Sequence, residues 1–252
     1  MRVAVRRRRA SDPRPWTVEQ AAGPAAELHE SSAALIATAT SEVVRVIRIL
    51  EVQHPTVVLG SGQPEHHVDR ARAAALGVAV ARRRSGGAAV LVGPGEVLWI
   101  DVVVPADDPL WSADLRRAGW WLGGCWAAAL ADIGIAGVET WRGGMVSGPW
   151  AAKVCFAGLG PGEVTVEGAK VVGICQRRTR AATLFQCAMP LSKRLGRPIG
   201  PWDPTGLLDV LSLSAGERQQ GGIDLASVAV AVSDGTALRD ALIARCAEAG
   251  LG

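Results

Sequence analysis

Residues Val164–Met189 read VTVEGAKVVGICQRRTRAATLFQCAM. Three β-forming runs stand out in it, Val164 to Val166, Lys170 to Gln176 and Thr183 to Met189, and the gap at Glu167-Gly168 is short enough for a hairpin. Lys170 is therefore expected just past a tight turn, at the head of a strand. On the last run Phe185, Cys187 and Met189 alternate onto one face, a core pattern.

Working outward, the chain mixes strands and helices. Ala25 to about Thr40 suits a helix, Val43 to Val52 and Thr56 to Leu59 read as strands, and Gly60-Ser61-Gly62-Gln63-Pro64 breaks the run. A short helix from His67 to Leu76 stops at Gly77, followed by a strand from Val78 to Arg82 and a turn at Ser85-Gly86-Gly87. Strands are expected at Ala89 to Val92 and Val97 to Val104, then a long helix from Ser112 to about Asp132. Further strands are predicted at Val138 to Trp141 and Lys153 to Phe156. The tail from Asp224 reads as helical, with Leu238, Leu242 and Cys246 on one face. No regular βαβ alternation appears, which favours an α+β class: a single mixed β-sheet domain, residues 25–252, flanked by helices and ending in a helix. Residues 1–24, with their run of Arg, read as a frayed basic tail.

Composition excludes several classes. The 252 residues are 49% hydrophobic and 20% charged, with a net charge of +3; such a chain has material for a core and is not built to coat nucleic acid. The charged start has no apolar segment of signal-peptide length behind it, and the most apolar window, Gly119 to Val138, reads as a buried helix ending near Gly134 rather than a membrane span. Five cysteines without a C-x-x-C pair suit a reduced cytoplasmic protein and give no zinc framework, and the four His add no metal motif. No P-loop or dinucleotide fingerprint is present.

Lys170 is the first candidate for chemistry. The chain has 24 Arg and only three Lys, at 153, 170 and 193, so a retained Lys marks a position where a guanidinium does not serve. At a hairpin tip between glycines it offers a cation to an acyl oxyanion or a phosphate; otherwise it is a solvated surface Lys. Cys155 precedes the Gly-rich turn leading into the same hairpin. Its thiol is either an acyl-accepting nucleophile or a small buried hydrophobe. The Arg82-Arg83-Arg84 run leads into Ser85-Gly86-Gly87, whose backbone N–H groups suit an anion.

Together these features resemble the lipoate-protein ligase and octanoyltransferase family, whose fold, shared with biotin protein ligases, belongs with the class II synthetases. The family's V-x-x-G-R-x-Q segment appears as Val57 to Gln63, its R-R-x-S/T-G-G-G-x-V as Arg82 to Val90, its G-x-K-x-x-G-x-x-Q as Gly168 to Gln176, and its strand ending in H-G as Thr183 to Leu191. The resemblance covers roughly residues 25 to 195 and implies a pocket for a medium-length acyl chain. It implies substrate-binding roles for Gln63, Arg82, Arg83, Ser85, Gly86, Gly87, Gly173 and Gln176. Cys155-Phe156 matches the C-F pair that holds the nucleophile of cysteine-dependent octanoyltransferases.

The implied activity is transfer of an octanoyl or lipoyl group from acyl carrier protein, through a Cys155 thioester, to a lysine of a lipoyl domain. Lys170 stabilises the oxyanion, and neither metal nor cofactor takes part. An ATP- and magnesium-dependent ligase and a non-catalytic acyl-binding relative are the alternatives. Ser61 for the family's Arg, Ala88 for the third loop Gly, Val92 for its His and Gln186-Cys187 for H-G are the departures; Val92 has no hydrogen-bond donor to offer a phosphate. A cytoplasmic monomer without nucleic-acid or membrane partners is expected.

Overall fold

A computed structural model describes residues 14–37, 44–192, 199–201, 203–233 and 235–249. The first half runs β1 (Trp16–Gly23), α1 (Ala25–Ala37), β2 (Arg45–Val52), β3 (Thr56–Leu59), α2 (Arg70–Ala75), β4 (Ala79–Arg82), β5 (Val90–Val92), β6 (Val97–Pro105) and α3 (Trp120–Asp132). The second half runs β7 (Val138–Thr140), β8 (Val146–Ser147), β9 (Gly158–Leu159), β10 (Val164–Val166), β11 (Ala169–Arg178), β12 (Ala182–Pro190), β13 (Ile199–Pro201), α4 (Thr205–Val210), α5 (Ala215–Leu225), β14 (Val230–Val232) and α6 (Gly235–Glu248).

Seven strands form a mixed sheet in the order β1-β2-β6-β12-β11-β10-β7. Only β1 and β2 pair in parallel; the other neighbours are antiparallel. The central β6, VLWIDVVVP, is apolar apart from Asp101 because both faces of the sheet are covered. Ile100, Val102 and Val104, with Phe185 and Cys187 opposite them, pack under α3 and α6 around Trp126, Leu238 and Leu242. The other face carries Trp99 and Leu50 beneath Leu28 of α1. A smaller sheet, β4-β3-β5, stands beside it. Because β3 and β4 are parallel, with Leu59 opposite Arg82, the turn after β3 and the Arg-Gly loop after β4 leave the sheet side by side.

Four expectations need correction. Trp16–Gly23, placed in the basic tail, is an edge strand, each residue paired with β2 from Trp16↔Arg45 to Gly23↔Val52; its partner strand comes only after a helix, so no local turn signals it. The helix begins at Trp120, not Ser112. The Ser112 to Gly119 segment forms turns, with the Asp114 side chain taking the Arg116 N–H, and leads over the sheet edge, where the Leu115 carbonyl accepts from Gln176. Lys153–Phe156 is not a strand: Lys153 and Val154 close turns onto the Trp150 carbonyl, and Cys155–Ala157 is a single 3-10 turn. The tail from Asp224 is interrupted by β14, whose Ala231 and Val232 are buried and which pairs with β13. The start of the tail, residues 38–43 and Lys193 lie outside the described residues.

Small residues let α3 press on the turn that enters the β10–β11 hairpin. A Cβ on Gly123 would fall 2.2 Å from the Gly162 carbonyl oxygen, whereas one on Gly124 would have nothing within 4 Å. Gly123→Ala is expected to destabilise by about 1–3 kcal/mol through overpacking against backbone. Gly124→Ala should instead stabilise by up to about 1 kcal/mol through helix propensity, the two being compared by urea unfolding.

Candidate active site

Lys170 is the second residue of β11 and is buried, 3% exposed. Nζ donates to Glu163 Oε2 at 2.7 Å, to the Gly158 carbonyl at 2.9 Å and to the Cys155 carbonyl at 3.1 Å, so its three donors have three acceptors. The Phe156 ring lies 5.3 Å away. Burial pushes the Lys170 pKa down, but the charges of Glu163 and Cys155 and the hydrogen bond to Glu163 outweigh it and hold the group above its ordinary value. Gly173 faces this ammonium: a Cβ there would come within 3.4 Å of Lys170 Cε.

Glu163 is the residue that sequence reading missed. It closes the Gly160-Pro161-Gly162-Glu163 turn, accepting from Gly160 N–H at 2.7 Å and from Ile174 N–H at 3.0 Å as well as from Lys170. Its signal was present in the repeated G-P-G-E-V string at 93–97 and 160–164. In both copies the Glu N–H returns to the first Gly carbonyl. The repeat is a turn that folds a carboxylate back over itself.

Cys155 is half-buried on its 3-10 turn, with its N–H bonded to Ala89 and its carbonyl to Lys170. Gln63 stitches the neighbouring turns together: Gly60 N–H donates to its Oε1, and its Nε2 reaches the Lys153 carbonyl at 3.2 Å and His67 Nδ1 at 3.1 Å. A Cβ on Gly60 would fall 1.8 Å from the Gly87 carbonyl oxygen, so glycine is required for the two loops to meet.

These elements surround one cavity of about 800 Å³. Cys155, Lys170, Gly173 and Gln176 line it together with Gln63, Arg83, Gly86 and Gly87. Arg83 is buried and spends its guanidinium on the Val58, Gly86 and Ala88 carbonyls, which shapes the loop. Gln176 ties the far lip to Leu115. Two predicted binders stand elsewhere. Arg82 braces the outside of the Gly60 turn through the Gly60 and Gln63 carbonyls and Glu65. Ser85 is buried behind the wall, donating to Gln186 Oε1 at 2.7 Å and meeting Cys175 Sγ at 3.1 Å.

The pattern for the lipoyl protein ligase A/B catalytic domain matches residues 27–203. The chain belongs to this family. Among solved structures, the lipoate-ligase fold recurs in the bi-partite lipoate protein ligase of Thermoplasma acidophilum, solved with its E2 lipoyl domain, at 17% identity and a TM-score of 0.70 over 92% of this chain and 82% of that one. A T. acidophilum protein with bound lipoic acid is 19% identical with a TM-score of 0.67, covering 94% and 86%. A lipoate-protein ligase A bound with ATP is 20% identical with a TM-score of 0.65, covering 92% and 83%. A search of curated protein sequences returns no match. As a member of the lipoyl ligase family the chain carries a domain of protein lipoylation enzymes. Among the described residues no helix is long and apolar enough to cross a membrane, and no three His, Cys, Asp or Glu are grouped to hold a metal ion.

Two outcomes follow from the buried groups. Glu163→Gln leaves the Lys170 ammonium without a counter-charge and is expected to cost about 3–5 kcal/mol in unfolding free energy; Lys170→Met in the same chain should recover much of it. Burial first, then Arg83, push the His29 imidazole of α1 down to about 3. A His held neutral when folded loses stability as pH falls from about 6.5 towards 3. Asp101, pushed up to about 6 by burial, contributes the opposite slope between about 4 and 6. The two offset each other in the native protein. Relative to it, His29→Phe should therefore gain about 1.4 kcal/mol for each pH unit between about 6 and 3, read from unfolding curves at several pH values.

Proposed function

We propose that this chain is an acyltransferase of protein lipoylation that works through a Cys155 thioester. The observation that carries the reading is the single turn on which a half-exposed thiol lines the cavity while its own carbonyl is held by the buried Lys170 ammonium. In the first step the Cys155 thiolate attacks the carbonyl carbon of an octanoyl or lipoyl thioester on acyl carrier protein. The new C–S bond forms as the carrier thiolate leaves, taking up the proton that Cys155 gave up. In the second step a neutral lysine amine of a lipoyl domain attacks the Cys155 thioester; the amide bond forms, the C–S bond breaks, and the amine's proton passes to the sulfur. Lys170 keeps a fixed positive charge beside the carbonyl that becomes an oxyanion, and through the Cys155 and Gly158 carbonyls it also fixes the turn. A lipoyl domain as acceptor is supported by the archaeal ligase solved with its E2 lipoyl domain.

The ATP-dependent ligase is the second reading, favoured by the neighbour bound with ATP. The donors here fit a triphosphate poorly. Lys170 is saturated by protein acceptors, Arg83 gives four of its five N–H groups to backbone carbonyls, Glu163 is committed to Lys170, and Val92 contributes no polar side-chain atom. No step through ATP is derived.

The deciding measurement is intact-protein mass spectrometry after mixing the chain with octanoyl-acyl carrier protein in the absence of ATP. A hydroxylamine-sensitive octanoyl adduct that disappears in Cys155→Ser is expected. Absence of an adduct on the native chain would sink the thioester route, and lipoylation of the acceptor only on adding ATP and lipoate would establish the ligase.

A further inference from the structure

A row of polar side chains crosses five strands on the α1 face of the sheet. The register places Glu19 beside Arg48, Arg48 beside Asp101, Asp101 beside Gln186, and Gln186 beside Cys175. The adjacent row runs Leu50, Trp99, Ala188, Gly173. His29 of α1 covers the junction of the two rows, 6% exposed, with its ring 4.3 Å from that of Trp99.

The row determines which nitrogen of His29 carries the proton. Gln186 Oε1 accepts the Ser85 hydroxyl, so its amide nitrogen faces Asp101 Oδ2 at 3.3 Å and His29 Nδ1 at 3.0 Å. An amide N–H can only donate, so Nδ1 accepts and the hydrogen sits on Nε2. The suppressed basicity of the ring keeps that tautomer neutral throughout the physiological range. Nε2 has no protein partner among the described residues, and the ring lines the cavity.

From this geometry we infer that His29 sets specificity at the tail end of the cavity, favouring an acyl chain whose far end carries hydrogen-bond acceptors, the sulfurs of a dithiolane ring, over one ending in a bare methyl. The inference rests on reading the cavity as an acyl site. From Gly173, which touches Lys170, to Trp99 is two strand spacings, about 10 Å, and the floor between them is the small residues Gly173 and Ala188. An extended eight-carbon acyl chain with its carbonyl at Lys170 therefore ends under His29 and Trp99. A methyl terminus there displaces water from an N–H and leaves it unpaired, while a sulfur accepts it, weakly but without stranding it. Sites built around a donor discriminate mainly by penalising the ligand that lacks the acceptor.

The test is calorimetric titration of the full chain with lipoamide and octanamide, neutral probes that undergo no acyl transfer. The native chain is expected to bind lipoamide about tenfold more tightly. His29→Phe, which keeps a ring against Trp99 and removes the donor, should bring the ratio near one, chiefly by tighter octanamide binding. His29→Gln, which keeps an N–H, should retain part of the preference and serves as the readout where the Phe variant does not fold by circular dichroism. Equal affinities in the native chain, or a preference that survives His29→Phe or is lost in His29→Gln, would overturn the role of His29 and leave the acyl site standing. Failure of both probes to bind the native chain would overturn the acyl-site reading and this inference with it.

Discussion

An ammonium taken out of water needs an acceptor for each of its protons and a nearby negative charge, and the surroundings of Lys170 are arranged to supply both. Glu163 provides the charge; the Cys155 and Gly158 carbonyls, on either side of one 3-10 turn, provide the rest. Each partner imposes a further condition. Glu163 reaches Lys170 only if its turn folds back, and the left-handed Gly162, with φ of 90°, lets it do so while lying against α3. Gly173 must lack a side chain because the Lys170 stem occupies that space. The glycines on α3, on the turn and on β11 thus serve one buried charge, and the thiol is presented as a by-product of satisfying it.

The second constraint is lateral. Register in an antiparallel sheet carries a whole row of side chains to one face, so a polar residue at one position obliges its neighbours to answer it. Asp101, wholly buried in an otherwise apolar strand, is answered by Trp99 Nε1–H and Gln186, while Arg48 beside it is answered by Ser31, Ser32 and Glu19. The edge strand β1 is part of this arrangement, since Glu19 reaches Arg48 from it.

Much of this was legible in the chain. The three β runs at 164–189, Lys170 at the hairpin, and the core faces through Cys187 and Cys246 follow from alternation and turn chemistry, which act over a few residues. What escaped depends on partners far away in sequence. The stretch Thr17 to Ala22 has no local turn to pair it and sits behind an Arg-rich run, so its strand character emerges only beside β2. Cys155 was placed on a strand because its neighbours are apolar, but the N–H groups around it close onto Trp150 and Ala89 instead of a ladder. His29 reads as an ordinary helical residue until the sheet beneath it supplies Gln186 from 157 positions away. Arg82 and Ser85 were grouped with the binders because the motif is contiguous, whereas loop curvature turns alternate residues into the wall, onto the cavity and behind it.

The two ends of the cavity are chemically unlike, and the difference bears on what it holds. At the Lys170 end the cation is saturated, so an anionic ligand must break a 2.7 Å ion pair or carbonyl contacts to claim it, whereas the neutral thioester of the proposed route would leave them in place and draw on the positive charge only while its carbonyl oxygen is negative. At the His29 end a neutral N–H stands open. A closed charge at one end and an open neutral donor at the other, joined by a floor of Gly and Ala, suit a long uncharged acyl chain better than a phosphate. Interactions that act only as charge develops lower a barrier without first tightening the ground state, and that is the use the proposed thioester chemistry makes of the saturated ammonium beside Cys155.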